Sequence, residues 1–248
     1  MLAINSPIDT ELLRHAVGSV ESAETFGDPF PHIFFRDFFP ADFYARLLAS
    51  FPPDTRFDRL KGDGTRLALR LYGDHVGRLD AEQRELWSAV AAVLASPELE
   101  VAVRAKLVEG MEIRQRGERV ASVDQLRTFA KPVIYKDVDG YEIKPHPDTR
   151  KKVITMQLYC PADESQIDLG TTLYRASAKG LLSPGSYFLE PVKTLPFAPN
   201  VGYAFVVLKA YHTLTRMSWH GRPKIKAPVD RPRMSILNTF YTDETVGF

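Results

Sequence analysis

The chain has 248 residues, 44% apolar and 25% charged, the make-up of a globular protein with enough material for a sizeable core. Thirty-two Lys and Arg against 31 Asp and Glu leave a formal net charge of +1, so nothing in the overall balance draws the molecule to nucleic acid or anionic lipid. A single cysteine, Cys160, excludes an internal disulfide and a cysteine-held zinc or iron–sulfur centre, and any metal must be held by histidine and carboxylate.

The opening MLAINSPIDTELLRH has neither a basic n-region nor an apolar h-region. The longest apolar runs, Ala89 to Ala95 and Tyr203 to Leu208, fall far short of the ~20 residues that span a bilayer. An intracellular, cytoplasmic protein is expected. A first helix is predicted over Ile8 to Val20, with Asp9 or Thr10 as cap and Leu12, Leu13, Ala16 and Val20 as its apolar stripe. His32 to Phe39 reads as a short buried strand running into a turn, and a second helix follows Pro40, with Phe43, Tyr44, Leu47, Leu48 and Phe51 at helical spacing. A third helix over Asp80 to Ala95 buries Leu86, Trp87, Val90, Val93 and Leu94. Ser96-Pro97 then fits an N-cap and first-turn proline for a fourth.

From Met111 the texture changes. Short β-rich stretches are predicted at Met111–Arg116, Arg127–Lys136, Tyr141–His146, Val153–Tyr159, Thr171–Arg175, Tyr187–Val192, Val201–Val207 and Ser235–Tyr241, separated by turn signals such as Asp139-Gly140. One domain over residues 1–248 is expected: 1–110 mostly helical support, 111–248 an antiparallel sandwich or barrel with the helices packed on one sheet.

A lone His-x-Asp is unremarkable at this composition, but His146-Pro147-Asp148 ends a predicted strand, where residues two apart point to the same side and can take adjacent positions on one ion. A third ligand is needed, and the C-terminal half offers His212 and His220. Two imidazoles and one carboxylate leave open positions of the kind used by non-haem Fe(II), with zinc chemically possible. Thirteen residues past His220, Arg233 opens a strong strand, and its guanidinium can grip a carboxylate through paired hydrogen bonds.

The ordered set His146-x-Asp148, Gly170-Thr171-Thr172-Leu173-Tyr174, Pro199-Asn200, Ser218-Trp219-His220-Gly221 and Arg233-x-Ser235 resembles the Fe(II)/2-oxoglutarate-dependent oxygenases in their prolyl-hydroxylase-like bacterial branch. Pro31 to Pro52 is similar to the strand–helix opening common in those proteins, so the likeness covers about residues 30 to 242. It implies a jelly-roll, cupin-like double-stranded β-helix, with His146, Asp148 and His220 as catalytic iron ligands. Arg233 would pair with the distal carboxylate of 2-oxoglutarate, helped by Ser235, with O2 as the third reactant. The pattern of Ser-Trp-His-Gly before Arg-x-Ser favours His220 over His212 as ligand, and Arg233 over Arg231. Asp148 stands where radical halogenases lack a carboxylate, so hydroxylation of an unactivated C–H bond is the expected outcome, giving succinate and CO2; desaturation, cyclisation and epimerisation use the same ligands.

Weaker candidates flank these. Tyr135 is a candidate cosubstrate contact. Tyr141, Lys144, Gln157, Tyr159 and His212 are candidate substrate contacts, with Thr155 sharing the parity of Gln157. The connections Asp163–Gly170 and Ala176–Ser186, the latter with Leu181-Leu182, are possible lids, and basic Lys224–Arg233 reads as a solvated loop. Asp137-Val138-Asp139-Gly140 lacks the later acidic positions of a calcium loop and reads as a hairpin turn, and Cys160 reads as a small core residue. The partner expected is a small molecule (an amino acid, a peptide-derived metabolite or a sugar), with no nucleic acid and no membrane. The competing readings are a jelly-roll binding or sensing module and a cupin-type metal-dependent isomerase.

Overall fold

The computed structural model describes residues 8–60, 65–177, 188–225 and 232–245. Local capping chemistry sets the helix starts. In α1 (Thr10–Glu21) the Asp9 carboxylate accepts from the amides of Glu11 and Leu12, and in α3 (Ala81–Leu94) Asp80 accepts from Gln83. α2 (Ala41–Ala49) follows Pro40, and α4 (Pro97–Lys106) has Ser96 as cap and Pro97 in its first turn. Among the described residues no single helix is long and apolar enough to cross a membrane.

The expected strand at Met111–Arg116 is instead part of a helix, α5 (Val108–Glu118). Met-Glu-Ile-Arg-Gln-Arg alternates like a strand, but its long-range contacts have helical spacing. Gly110, Met111, Ile113 and Arg114 are buried, and Arg114–Glu118 and Arg116–Glu112 form i,i+4 ion pairs. A Cβ on Gly110 would come within 2.9 Å of Val206, so only glycine lets α5 lie this close to the sheet.

The larger sheet has eight strands: β1 (Glu24–Phe26), β2 (His32–Phe35), β3 (Asp58–Arg59), β4 (Arg66–Arg70), β5 (Phe129–Asp137), β7 (Lys152–Tyr159), β10 (Gly202–Val206) and β12 (Arg233–Tyr241). Their spatial order is β1-β2-β10-β7-β12-β5-β4-β3. Four of its strands, β1 to β4, come from the N-terminal 110 residues, and sequence periodicity resolves only β2 among them. The smaller sheet, ordered β6-β11-β8-β9, contains β6 (Ile143–His146), β8 (Thr172–Ala176), β9 (Leu189–Thr194) and β11 (His220–Arg222). Every described pairing is antiparallel.

Strand parity divides the larger sheet into two faces. Ile154, Met156 and Leu158 of β7, with Ile236 and Phe240 of β12, join Trp87, Val90, Leu94 and Met111 of the helices in the main core. Asn238, of the same parity, donates to the carbonyl of Leu94 at 2.7 Å and pins α3 to the sheet. The opposite parity, Thr155 and Gln157 of β7 with Tyr135 and Leu237, faces a cavity shared with the smaller sheet, while Tyr159 packs with Leu173 and Phe197. Proline in β6 is tolerated because that strand lies at a sheet edge.

Gly140 has φ +85° and the amide of Tyr141 donates to Val138, so a tight turn does form here, but β5 and β6 belong to different sheets and do not pair; the turn carries the chain from one sheet to the other and is not the expected hairpin. Most of the Ala176–Ser186 connection, with Leu181-Leu182, and Arg231 lie outside the described residues, as does Tyr187 of the expected strand there. Within Asp163–Gly170, Glu164–Leu169 makes two 3-10 turns joined by a kink at Gln166, and the Asp163 carboxylate accepts from the Ser165 amide.

Candidate metal centre

His146 ends edge strand β6, and His220 opens β11 directly opposite it in register, so the pairing of two strands 74 positions apart brings the imidazoles together, with ring centroids 4.6 Å apart. Asp148 lies just beyond His146 in the turn into β7. The Nε2 atom of His146 is 3.8 Å from Asp148 Oδ1 and that of His220 is 3.7 Å from Oδ2, and ligand atoms of all three lie within 4.8 Å of one another. A Cβ at Gly221 would come within 2.7 Å of the Ile143 carbonyl, so glycine beside His220 is what allows β11 to seat against β6.

The surroundings aim these atoms. His146 Nδ1–H donates to the carbonyl of Lys144 at 3.0 Å and His220 Nδ1–H to that of Ser218 at 2.9 Å, which fixes both tautomers with the Nε2 lone pair facing Asp148. Asp148 Oδ1 accepts from Lys152 Nζ at 2.6 Å and Oδ2 from Thr155 at 2.7 Å, while Lys209 holds its main-chain carbonyl at 2.9 Å. Burial opposes the charge on Asp148, but the Lys152 ammonium and the two histidines outweigh it and hold the carboxyl well below the usual range. Burial pushes His220 down to about 4 against the pull of Asp148, so the ring is neutral at pH 7. Two imidazoles with Nε2 turned inward and an ionised carboxylate, converging on one point at the wall of a cavity, fit a divalent transition metal.

The depressed His220 has a consequence for stability. Folded, it stays neutral down to about pH 4, whereas an unfolded imidazole takes its proton near 6.5. The unfolded chain therefore binds more protons in that window, and the metal-free protein loses stability as pH falls from about 6.5 to 4, by about 3 kcal/mol from this residue. Urea titrations across that range should show the loss, and His220→Asn should flatten it; an identical pH dependence in the variant would contradict the neutral buried ring.

The cavity has a volume of about 540 Å³ and its lining includes His146, Asp148, Lys152, Thr155, His220, Gln157 and Tyr203. Its far side carries Arg66, Arg222, Tyr135 and Tyr141, against Leu60, Ile143 and Leu237. Behind them the buried Asp137 collects three guanidiniums: Arg222 at 2.9 Å, Arg66 at 3.2 Å and Arg233 at 3.3 Å. Arg66 lies over the Tyr135 ring at 3.7 Å and also donates to the Tyr141 hydroxyl. Burial pushes Arg222 down to about 9, with Arg233 adding to the effect and Asp137 opposing it.

Arg233 is buried beside this cluster. It donates to the Leu169 carbonyl at 2.7 Å and to Ser235 at 3.3 Å, and packs on Tyr159 and Phe197. Ser235 also accepts from Gln157, whose carbonyl accepts from Tyr203. The Tyr159 hydroxyl accepts from the Thr171 amide. Lys144 is exposed. His212 lies elsewhere, buried against α5 with Nε2 3.2 Å from Glu118. Cys160 is buried, its thiol pushed up to about 12 by burial, which leaves it inert as a nucleophile.

Arg66, Arg222, Asp137, Lys152 and Tyr203 were not singled out as site residues by sequence reasoning. Arg222 carried a signal, since His220-x-Arg222 puts both side chains on one face of a strand.

No protein-family model matches the chain, and no curated protein matches it in sequence. Among solved structures, the dioxygenase for auxin oxidation 1 of Arabidopsis thaliana, in a binary complex with 2-oxoglutarate, is 14% identical, with 98% of this chain and 92% of that chain covered and a TM-score of 0.53. A prolyl-4-hydroxylase of Pseudomonas putida matches at 13% identity, covering 93% and 98%, with a TM-score of 0.49. HygX of Streptomyces hygroscopicus, with nickel and 2-oxoglutarate bound, matches at 9% identity, covering 85% and 82%, with a TM-score of 0.48. The likeness to the Arabidopsis protein extends over nearly all of both chains and shows a shared fold.

Proposed function

We propose that the chain is a non-haem Fe(II)/2-oxoglutarate-dependent oxygenase of the prolyl-hydroxylase-like branch, a single domain over residues 1–248 that hydroxylates an unactivated C–H bond of a small molecule. The observation that carries this reading is the convergence of His146, Asp148 and His220, tautomers fixed, on the wall of a cavity between two sheets. The sheet orders support a double-stranded β-helix: β10-β7-β12-β5 faces β6-β11-β8-β9, as two interleaved sets of four strands. Fold likeness to a protein solved with 2-oxoglutarate adds to it.

On this reading His146, Asp148 and His220 hold the metal, and Lys152 and Thr155 orient the carboxylate. Arg233, Ser235 and Tyr135 hold 2-oxoglutarate, with Gln157 fixing the Ser235 hydroxyl. Tyr141 faces the substrate; Tyr159 supports Arg233 and the Thr171 amide. With Fe(II), 2-oxoglutarate and O2 bound, the centre supplies oxidative decarboxylation to succinate and CO2, one oxygen atom going to succinate and the other to the C–H bond. The chain positions the reactants and excludes water.

Anaerobic addition of Fe(II) and 2-oxoglutarate should produce a weak visible metal-to-ligand band, and air should then release succinate slowly without added substrate. If the wild-type protein binds neither the ion nor the keto acid, the reading fails. A succinate-release screen over amino acids, short peptides and sugars, with product mass read for one added oxygen, then identifies the substrate.

A further inference from the structure

Resting on the oxygenase reading, we propose that the molecule oxidised is itself an acid, whose carboxylate docks between Arg66 and Arg222 on the cavity wall. Arg66 and Arg222 both line the cavity that the metal ligands line. Among the described residues of the cluster, partly buried Arg66 together with buried Arg222 and Arg233 carry three positive charges and Asp137 one negative, a surplus of two. A surplus buried cation is costly unless something anionic answers it. 2-Oxoglutarate brings only one carboxylate to this end, because its keto-acid end belongs to the metal. Among the described residues one positive charge is left, and an acidic second reactant answers it.

Geometry indicates where that anion sits. Arg222 is 3% exposed, and its Nη1 is buried with no hydrogen-bond partner among the described residues, while Nη2 is held by Asp137. Arg66 is clamped over Tyr135 and bonded to the Tyr141 hydroxyl, so its plane is set before any ligand arrives. Arg222 follows His220 by two residues on one strand face, about 7 Å along β11. A carboxylate held there leaves its carbon chain running past Ile143 and Leu237 towards the metal ligands. Neutral sugars can accept from the guanidinium but bring no negative charge to balance it, and an ammonium brings charge of the same sign.

The test uses the full-length protein saturated with Mn(II) and 2-oxoglutarate, titrated calorimetrically with hexanoate and with hexanamide, an uncharged match of the same length. Hexanoate should bind at least about tenfold tighter, the scale of one charge-assisted hydrogen bond. Arg66→Gln and Arg222→Gln, each brought to saturation by its own measured 2-oxoglutarate affinity, should erase that preference. Crystals of the wild-type complex soaked in bromide should give an anomalous peak between the two guanidiniums, a readout that stands even if a variant fails to fold. With 2-oxoglutarate bound, equal binding of acid and amide, or no bromide peak, overturns the proposal while leaving the oxygenase reading intact. So does one-for-one displacement of 2-oxoglutarate by hexanoate, which would assign both arginines to the cosubstrate. Failure of the wild-type protein to bind 2-oxoglutarate overturns both.

Discussion

Asp148→Ala should lose at least about a hundredfold in affinity for Mn(II) or Fe(II), and with it the metal-dependent binding of 2-oxoglutarate and all succinate release. The magnitude follows from what the carboxylate does. Losing an outer contact of a metal ligand costs about ten- to a hundredfold, and Asp148 is the sole anion among the three converging ligands. It also neutralises Lys152, whose ammonium is 2.6 Å away and only 18% exposed. Removing the carboxylate leaves that charge beside an emptied ligand position, where it repels the incoming cation. Stability of the metal-free protein should fall too, by a few kcal/mol, because one partner of a nearly buried pair is left unanswered. Asp148→Asn separates the two effects: it keeps an acceptor for Thr155 but not the charge, so it should recover part of the stability and little of the metal affinity. Calorimetric titration of metal and urea unfolding read the two quantities independently. Wild-type metal affinity in Asp148→Ala would remove the centre from His146 and His220.

The parts of this site that were legible from sequence are those governed by local rules. Asp9, Asp80 and Ser96-Pro97 announce helix starts because a cap acts within three residues. The two-residue period of β7 and β12 announces which side chains share a face. His146-x-Asp148 lies in one turn. The arginine cluster obeys no local rule. Arg66 lies on a five-residue strand in a stretch dominated by helices, Arg222 ends a three-residue strand, and Asp137 closes β5; they meet only because β4, β5, β11 and β12 converge there. Helix α5 departs from its sequence pattern for a related reason. The alternation of Met111 to Arg116 imitates a strand, and what makes it a helix is the burial of Gly110, Met111 and Arg114 against strands much later in the chain.

Arg114→Met should destabilise the protein by about 3–5 kcal/mol, lowering the melting temperature by about 10 °C. Arg114 is fully buried on α5, and its guanidinium donates to the carbonyls of Lys152 at 2.7 Å, Val207 at 2.9 Å and Arg150 at 2.9 Å. Methionine matches the stem but leaves three carbonyls without that donor, and unsatisfied buried acceptors cost more than the net worth of the bonds removed. Two of the three belong to Arg150 and Lys152, on the segment that leads from Asp148 into β7. Loosening them should carry through to the carboxylate, so metal affinity should fall by about tenfold even though Arg114 touches no ligand. Arg116→Met, two residues on and exposed beside Glu112, is the control and should change stability by under about 0.5 kcal/mol. If urea unfolds Arg114→Met and Arg116→Met at the same midpoint, α5 does not brace the metal turn, and the rigidity of the His146–Asp148 segment comes from contacts such as those of Lys152, Thr155 and Lys209 with Asp148.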